Sequence, residues 1–142
     1  MSKLRTYTIL KNNITFEKYL ISVKNISNRI ALCKFRLSNH TLMIETGRHE
    51  NIQQTNRRCP FCPENVENEV HFLIHCPIYT NLRLSMLEEI EKTIIGFYYP
   101  NDENFLFWFL LCNPIIAHLT AKFIKLAMDL REFLLNNPRN YH

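Results

Sequence analysis

Four residues within an 18-residue stretch constrain this chain more than anything else in it: Cys59, Cys62, His71 and Cys76, spaced C-x2-C-x8-H-x4-C. Three soft thiolates and one imidazole form a tetrahedral donor set that zinc takes in structural sites. Four protein ligands leave no open coordination position, so Zn2+ here is expected to hold structure and not to activate water. Pro60 and Pro63 stiffen the turn between the first two thiols, and Arg57 and Arg58 just before it favour the thiolate form. A redox Cys-x-x-Cys would need a βαβ setting, and no β-pattern flanks this one.

The sequence around the four residues reads as a loop closed by a short helix. Asn65 and Asn68 are candidate helix caps, and Glu67 and Glu69 sit where a helix dipole favours acids. A helix is expected over Glu69 to His75, with Pro77 ending it. His71 and Cys76 are five apart, about 140° around a regular helix, so they meet at one ion only if the backbone leaves the helix before Cys76. His71 is the expected ligand. His75, one turn later on the same face, is its competitor.

Outside this loop the apolar residues recur at helical spacing. Thr15 to Lys24 reads as a capped helix, and Ile26, Ile30, Cys33 and Leu37 as the inward stripe of the next, with Gly47 as a helix stop after Leu42, Met43 and Ile44. Residues 48–58 read as a polar loop. Tyr79, Leu82, Met86, Ile90 and Ile94 mark a helix opened by Pro77 and ended at Gly96, and Asp102 caps another. Phe105 to Leu111 is seven apolar residues in a row, too short for the ~20 that cross a bilayer. It reads as a buried helix or strand, or as the face that takes a protein partner. Pro114 opens the longest helix, with Ile116, Leu119, Phe123, Leu126, Ala127, Leu130 and Phe133 inward and His118, Lys122, Lys125 and Asp129 outward. Two glycines in 142 residues argue against an all-β fold and against a phosphate-cradling loop. The expected architecture is mostly α: a loose basic arm over 1–13, then one small helical domain over 14–142 with a zinc knuckle embedded at 57–77.

Charge is divided unevenly. Residues 1–58 hold eleven Lys and Arg against three acids, a balance of +8, while residues 59–142 hold six against ten, a balance of −4. That asymmetry suits a polyanion partner. Arg29, Arg36 and His40 are expected along one helix face and, with Arg48, Arg57 and Arg58, are the candidate phosphate contacts. Phe61, between the first two thiols, is the candidate for stacking on a base. Cys33 and Cys112 lie in apolar patterns and are expected to be buried free thiols. With no apolar signal-peptide core at the N-terminus and no disulfide framework, an intracellular setting, the nucleus included, is expected.

The block Arg29-Ile-Ala-Leu-Cys-Lys-Phe-Arg-Leu-Ser-Asn-His-Thr-Leu, then Glu45-Thr-Gly-Arg, Arg58-Cys-Pro-Phe-Cys, Glu69-Val-His-Phe-Leu-Ile-His-Cys-Pro-Ile-Tyr and Leu82-Arg83, resembles the zinc-binding tail of non-LTR-type retrotransposon reverse transcriptases and of derived stand-alone animal proteins. The resemblance covers residues 26–83 and continues weakly beyond. It implies a Cys3His zinc module at Cys59, Cys62, His71 and Cys76 that acts with RNA or DNA of the parent element; zinc knuckles handle mainly single strands, which favours those. No polymerase carboxylate motif or nuclease carboxylate cluster accompanies it, so an independent enzyme is not implied. The alternative expectation is a protein-interaction module with a purely structural zinc.

Overall fold

The structure is a computed structural model and describes residues 17–140. The expected arm over 1–13 and the expected cap Thr15 lie outside the described residues. Among the described residues six α-helices carry the fold: α1 (Tyr19–Ser22), α2 (Ile26–Arg36), α3 (Met43–His49), α4 (Thr80–Thr93), α5 (Glu103–Cys112) and α6 (Ala117–Asn136). No β-strand occurs among the described residues. The nearest approach to one is an isolated antiparallel bridge between Arg58 and Val66. The mostly α class agrees with the sequence expectation, and the Cys/His cluster sits in the loop between α3 and α4.

The 20-residue α6, roughly 30 Å long, is the axle, and α1, α2, α4 and α5 all pack on it. Its buried face is Ala117, Thr120, Ala121, Phe123, Ile124, Ala127, Arg131 and Leu134. Buried alanines let neighbouring helices approach closely. The two polar members have partners: the Thr120 hydroxyl donates to the Leu110 carbonyl at 2.8 Å, and Arg131 donates to the Glu67 carboxylate. His118, Lys122 and Asp129 are outward as expected, whereas Leu126 and Phe133 are exposed, because the inward face runs through Arg131 instead.

Several local expectations hold on physical grounds. Asp102 accepts the Asn104 and Phe105 amides at 2.9 and 3.4 Å and starts α5, so the apolar run is a helix. Gly96 takes φ +80° just after α4. Pro77 opens a 3-10 turn, Pro77–Tyr79, that runs into α4. Pro114 lies in the turn before α6, which begins at Ala117.

Others are corrected. On α2 the expected stripe is displaced: Ile26 and Ile30 are 64% and 48% exposed, Cys33 and Leu37 are half-buried, and the buried face is Leu32, Phe35 and Arg36. Asn25 accepts the Asn28 amide at 3.0 Å and sets the helix start, and the face turned inward is the one whose Phe35 ring meets Phe72 at 5.7 Å in the core. Gly47 does not stop a helix. It lies inside α3, which runs on to His49, and the chain turns at Asn51, φ 58°. A β-carbon on Gly47 would stand 2.6 Å from Cγ of Arg57. The glycine is required for that close approach. Cys112 is exposed and Cys33 half-buried, where burial of both was expected. Cys112 belongs to the outer face of α5, while Phe107, Leu110 and Leu111 fill the inner one.

Gly47→Ala should destabilise the protein by about 1–3 kcal/mol, the usual cost of overpacking, read as a lower urea midpoint at unchanged slope. Native Cys112 should react with a thiol reagent well before Cys33.

Candidate metal centre

The loop from Arg57 to Cys76 is short of ordinary secondary structure, so its backbone groups are satisfied piecemeal. The Cys59 amide donates to the Asn65 carbonyl and the Asn65 amide to the Cys62 carbonyl, both at 2.9 Å, folding the Cys-Pro-Phe-Cys turn back on itself. The Glu67 amide donates to the Arg57 carbonyl at 2.9 Å and closes the base of this knuckle. Asn68 caps the helical turn after the knuckle, its side-chain oxygen accepting the His71 amide at 2.8 Å. Asn65 serves through its backbone, not as a cap.

The expected helix over Glu69 to His75 forms, with Glu69 and Val70 in α geometry and His71–His75 widened into a π turn. The Cys76 amide donates to the carbonyl of His71 at 2.7 Å, an i to i−5 bond. The wider turn removes the angular mismatch of a regular helix and brings residues five apart onto one side. Cys76 itself is extended, φ −58° and ψ 120°, so the chain leaves helical geometry there. Arg83 secures the end of the turn: Nε donates to the Leu73 carbonyl at 2.8 Å, and Nη2 to those of Phe72 and Cys76 at 3.2 and 3.0 Å.

The result brings Cys59, Cys62, His71 and Cys76 together, all buried, with one ligand atom from each within 4.8 Å of the others. The Cys76 sulfur is 3.9 Å from that of Cys59 and 3.7 Å from that of Cys62. A tetrahedral ion with metal–sulfur bonds of ~2.3 Å needs sulfur atoms about 3.8 Å apart. A disulfide needs ~2.05 Å, and all five cysteines are free. Nε2 of His71 is buried and makes no hydrogen bond. These four residues can therefore hold a metal ion. His75 is outside the group: it is half exposed and meets Glu103 at 2.6 Å. A cavity of about 440 Å³ lined by Cys62, Glu64, Asn65, His71, His75 and Pro77 opens beside the cluster and offers a route for an ion.

The thiols share protons. A hydrogen bond from the Cys76 thiol holds Cys59 down at about 4, against the usual 9.0. The same bond, with burial, pushes Cys76 well up, and burial raises Cys62. The metal-free cluster at neutral pH thus carries one thiolate, on Cys59, and two protonated thiols.

The proposed nucleic-acid contacts are placed differently from the sequence reading. Arg29, Arg36 and His40 do not form an outward basic line. Arg36 is buried, donating to the Leu111 carbonyl and to Glu17, and His40 is buried against Glu69 at 2.9 Å. Arg29 donates to the Leu20 carbonyl at 3.0 Å. Arg57 is buried and donates to the Ile44 and Ile52 carbonyls, both at 2.9 Å. Arg48 pairs with Glu45 at 3.2 Å. Arg58 is exposed and touches the Glu64 carbonyl at 2.9 Å. Phe61 is half-buried, its ring edge-on to Tyr79 at 6.5 Å. Sequence reasoning missed Glu67, Arg131 and Tyr79, all buried around the cluster. The available signal was the period of α6, in which Arg131 occupies an inward position.

No family model matches the chain, and no curated protein or solved structure matches it either. The site is therefore read from its own chemistry.

Metal affinity should rise steeply with pH. Binding a dication by three thiolates displaces about two protons at neutral pH, so affinity should gain about a hundredfold per unit near pH 7. Calorimetry in buffers of different ionisation enthalpy counts those protons. His71→Ala should abolish stoichiometric binding, and His75→Ala should leave it intact.

Proposed function

We propose that this chain is a zinc-stabilised, non-catalytic nucleic-acid-binding module that belongs to or derives from a retroelement. The observation that carries the zinc assignment is the closed Cys3His cluster at tetrahedral spacing. Its donor set suits zinc, and its four ligands leave no position for a substrate. The ordered blocks shared with retrotransposon tails from Arg29 to Arg83 support the retroelement origin. The excess of cations before the cluster supports a polyanion partner, RNA or DNA with single strands favoured.

The side chains to carry that binding are those the fold leaves in water. Lys18, Lys24, Lys34 and Arg58 are exposed, whereas Arg36 and Arg57 are occupied within the protein. Phe61, in the knuckle and half-buried, is the stacking candidate. Exposed cations of this kind make contacts to phosphate that release counterions and carry no sequence preference.

A second reading rests on α5. Phe105 and Cys112 are exposed and Trp108 and Phe109 half-buried, at i, i+3, i+4 and i+7, with exposed Ile115 beyond. That spacing is one continuous helical stripe, the form in which helices meet protein partners. The zinc would then be a purely structural support for an interaction module.

Titration of a labelled single-stranded RNA or DNA at several salt concentrations separates the readings. The first expects affinity to fall about tenfold or more between 50 and 200 mM salt. It expects the triple variant Lys24→Gln, Lys34→Gln, Arg58→Gln to weaken binding and flatten the salt slope by about one per lost contact. No association even at low salt would leave the protein-interaction reading standing.

A further inference from the structure

The outer face of α5 is apolar where a surface helix is normally polar. Phe105 and Ile115 are 60% and 62% exposed, and between them lie half-buried Trp108 and Phe109 and exposed Cys112. Together with Asn113 and Pro114 these residues line an open cavity of about 530 Å³ along the helix and the turn after it. The apolar surface continues beyond the helix. Phe97 stacks on Phe109 at 5.3 Å and meets Tyr99 edge-on at 5.6 Å, and Tyr98, next in the chain, is 83% exposed. Apolar surface gathered in this way marks a binding face more often than scattered exposed residues do.

Charge near this face is one-sided. No Lys or Arg occurs in the sequence between Lys92 and Lys122. Lys92 is paired with Glu89 at 3.1 Å, and Arg36, the cation beside Cys112, is buried and paired with Glu17 at 3.3 Å. Acids are present instead. Asp102 and Glu103 are exposed at the start of α5, and exposed Glu91 of α4 lies against the Tyr99 hydroxyl with Glu88 near it.

These acids decide between occupants. They repel the phosphates of a nucleic acid and the anionic headgroups of a membrane. A second copy of the chain would bring the same face, which has no cation to balance them. What suits both features is a helix with apolar residues on one side and Lys or Arg along its edges. Phe105, Trp108, Phe109 and Cys112, at i, i+3, i+4 and i+7, form an apolar row about 10 Å long, the two turns over which such a helix finds its anchors.

We infer that the outer face of α5 is the docking site for a basic amphipathic helix of another protein. Phe105, Trp108 and Ile115 supply the apolar contact that holds it, and Glu88, Glu91 and Asp102 supply the charge that selects and orients it. The inference rests on the reading of α5 as an interaction face and is independent of the metal.

Trp108 is the only tryptophan in the chain, so its fluorescence reports on this face alone. The test titrates the full chain with a tryptophan-free peptide of Leu and Lys at helical spacing, about five turns long, and with a matched peptide of Leu and Glu. The Leu/Lys peptide should shift Trp108 emission to shorter wavelength and bind at least about tenfold more tightly than the Leu/Glu peptide. Phe105→Ser and Ile115→Ser should each weaken it about tenfold, with the circular dichroism spectrum unchanged. Glu88→Gln with Glu91→Gln should weaken it about threefold or more and reduce its salt dependence. If Phe105→Ser does not fold, Ile115→Ser decides. Equal binding of the two peptides, both shifting Trp108, would keep α5 as an interaction face but overturn the basic partner. No shift with either peptide would overturn the interaction reading itself. A Leu/Lys peptide that binds without moving Trp108, or that ignores both serine variants, sits elsewhere and overturns the site. A dimer that Phe105→Ser dissociates, or a larger Trp108 shift with anionic vesicles than with the peptide, would overturn the choice of occupant.

Discussion

The bidentate ion pair between Glu67 and Arg131 is the interaction on which the rest of this structure depends. The metal loop has neither a strand ladder nor a long helix to hold it, and its knuckle is a handful of turn hydrogen bonds. What locates it against the body is a carboxylate at the base of the knuckle, gripped by an arginine from the central helix and capping the start of α3. Removing one member of such a pair leaves an uncompensated buried charge, which typically costs about 3–5 kcal/mol. The metal ligands are part of the same core. Cys59, Cys62 and Cys76 are buried in one cluster with Phe72, Leu73 and Tyr79, and Phe72 contacts Phe35 on α2 and Phe123 on α6. An ion held by these residues would therefore be tied to the whole core, not only to residues 57–77.

Arginine has a second use throughout the molecule. Short helices, 3-10 turns and a π turn leave carbonyls that regular ladders would satisfy. Arg29, Arg36, Arg57, Arg58 and Arg83 each donate to such carbonyls, and Arg83 alone serves three. The guanidinium suits this work because it offers five donors in a planar fork and is weakly hydrated for a cation. Positive charge counted along the chain is thus not the same as positive charge offered to a partner. The cations the fold leaves in water before the cluster are chiefly lysines and Arg58, and the proposed nucleic-acid binding depends on these.

The closed cluster and the uneven surface divide the labour of the molecule. The four clustered donors are turned inward, and the side chains left to meet a partner are those around the loop and on the helices. The outer stripe of α5 is the part of the surface this division leaves without an assigned partner in the leading reading. Its residues are apolar on both sides of the helix, one side filling the core and the other facing out.

Sequence alone determined what local chemistry controls. The ligand types and their spacing specified the metal cluster, because four soft donors in 18 residues have few other uses. Asp102, Asn68 and Pro77 set helix ends, because caps and φ restrictions act within a turn. Helical class followed from apolar periodicity and scarce glycine. Tertiary structure alone decided the rest. The spacing already favours His71 over His75; what folding adds is the π bond from the Cys76 amide to the His71 carbonyl, which lets the expected residue reach the cluster. Gly47 is a clearance for Arg57, not a stop, because the demand comes from ten residues away. The outward rotation of Ile26 and Ile30 and the burial of Arg36, Glu67 and Arg131 depend on partners distant in sequence. A charged side chain reads as surface in a sequence. Only an opposite charge or a row of bare carbonyls, brought beside it by folding, makes its burial stable.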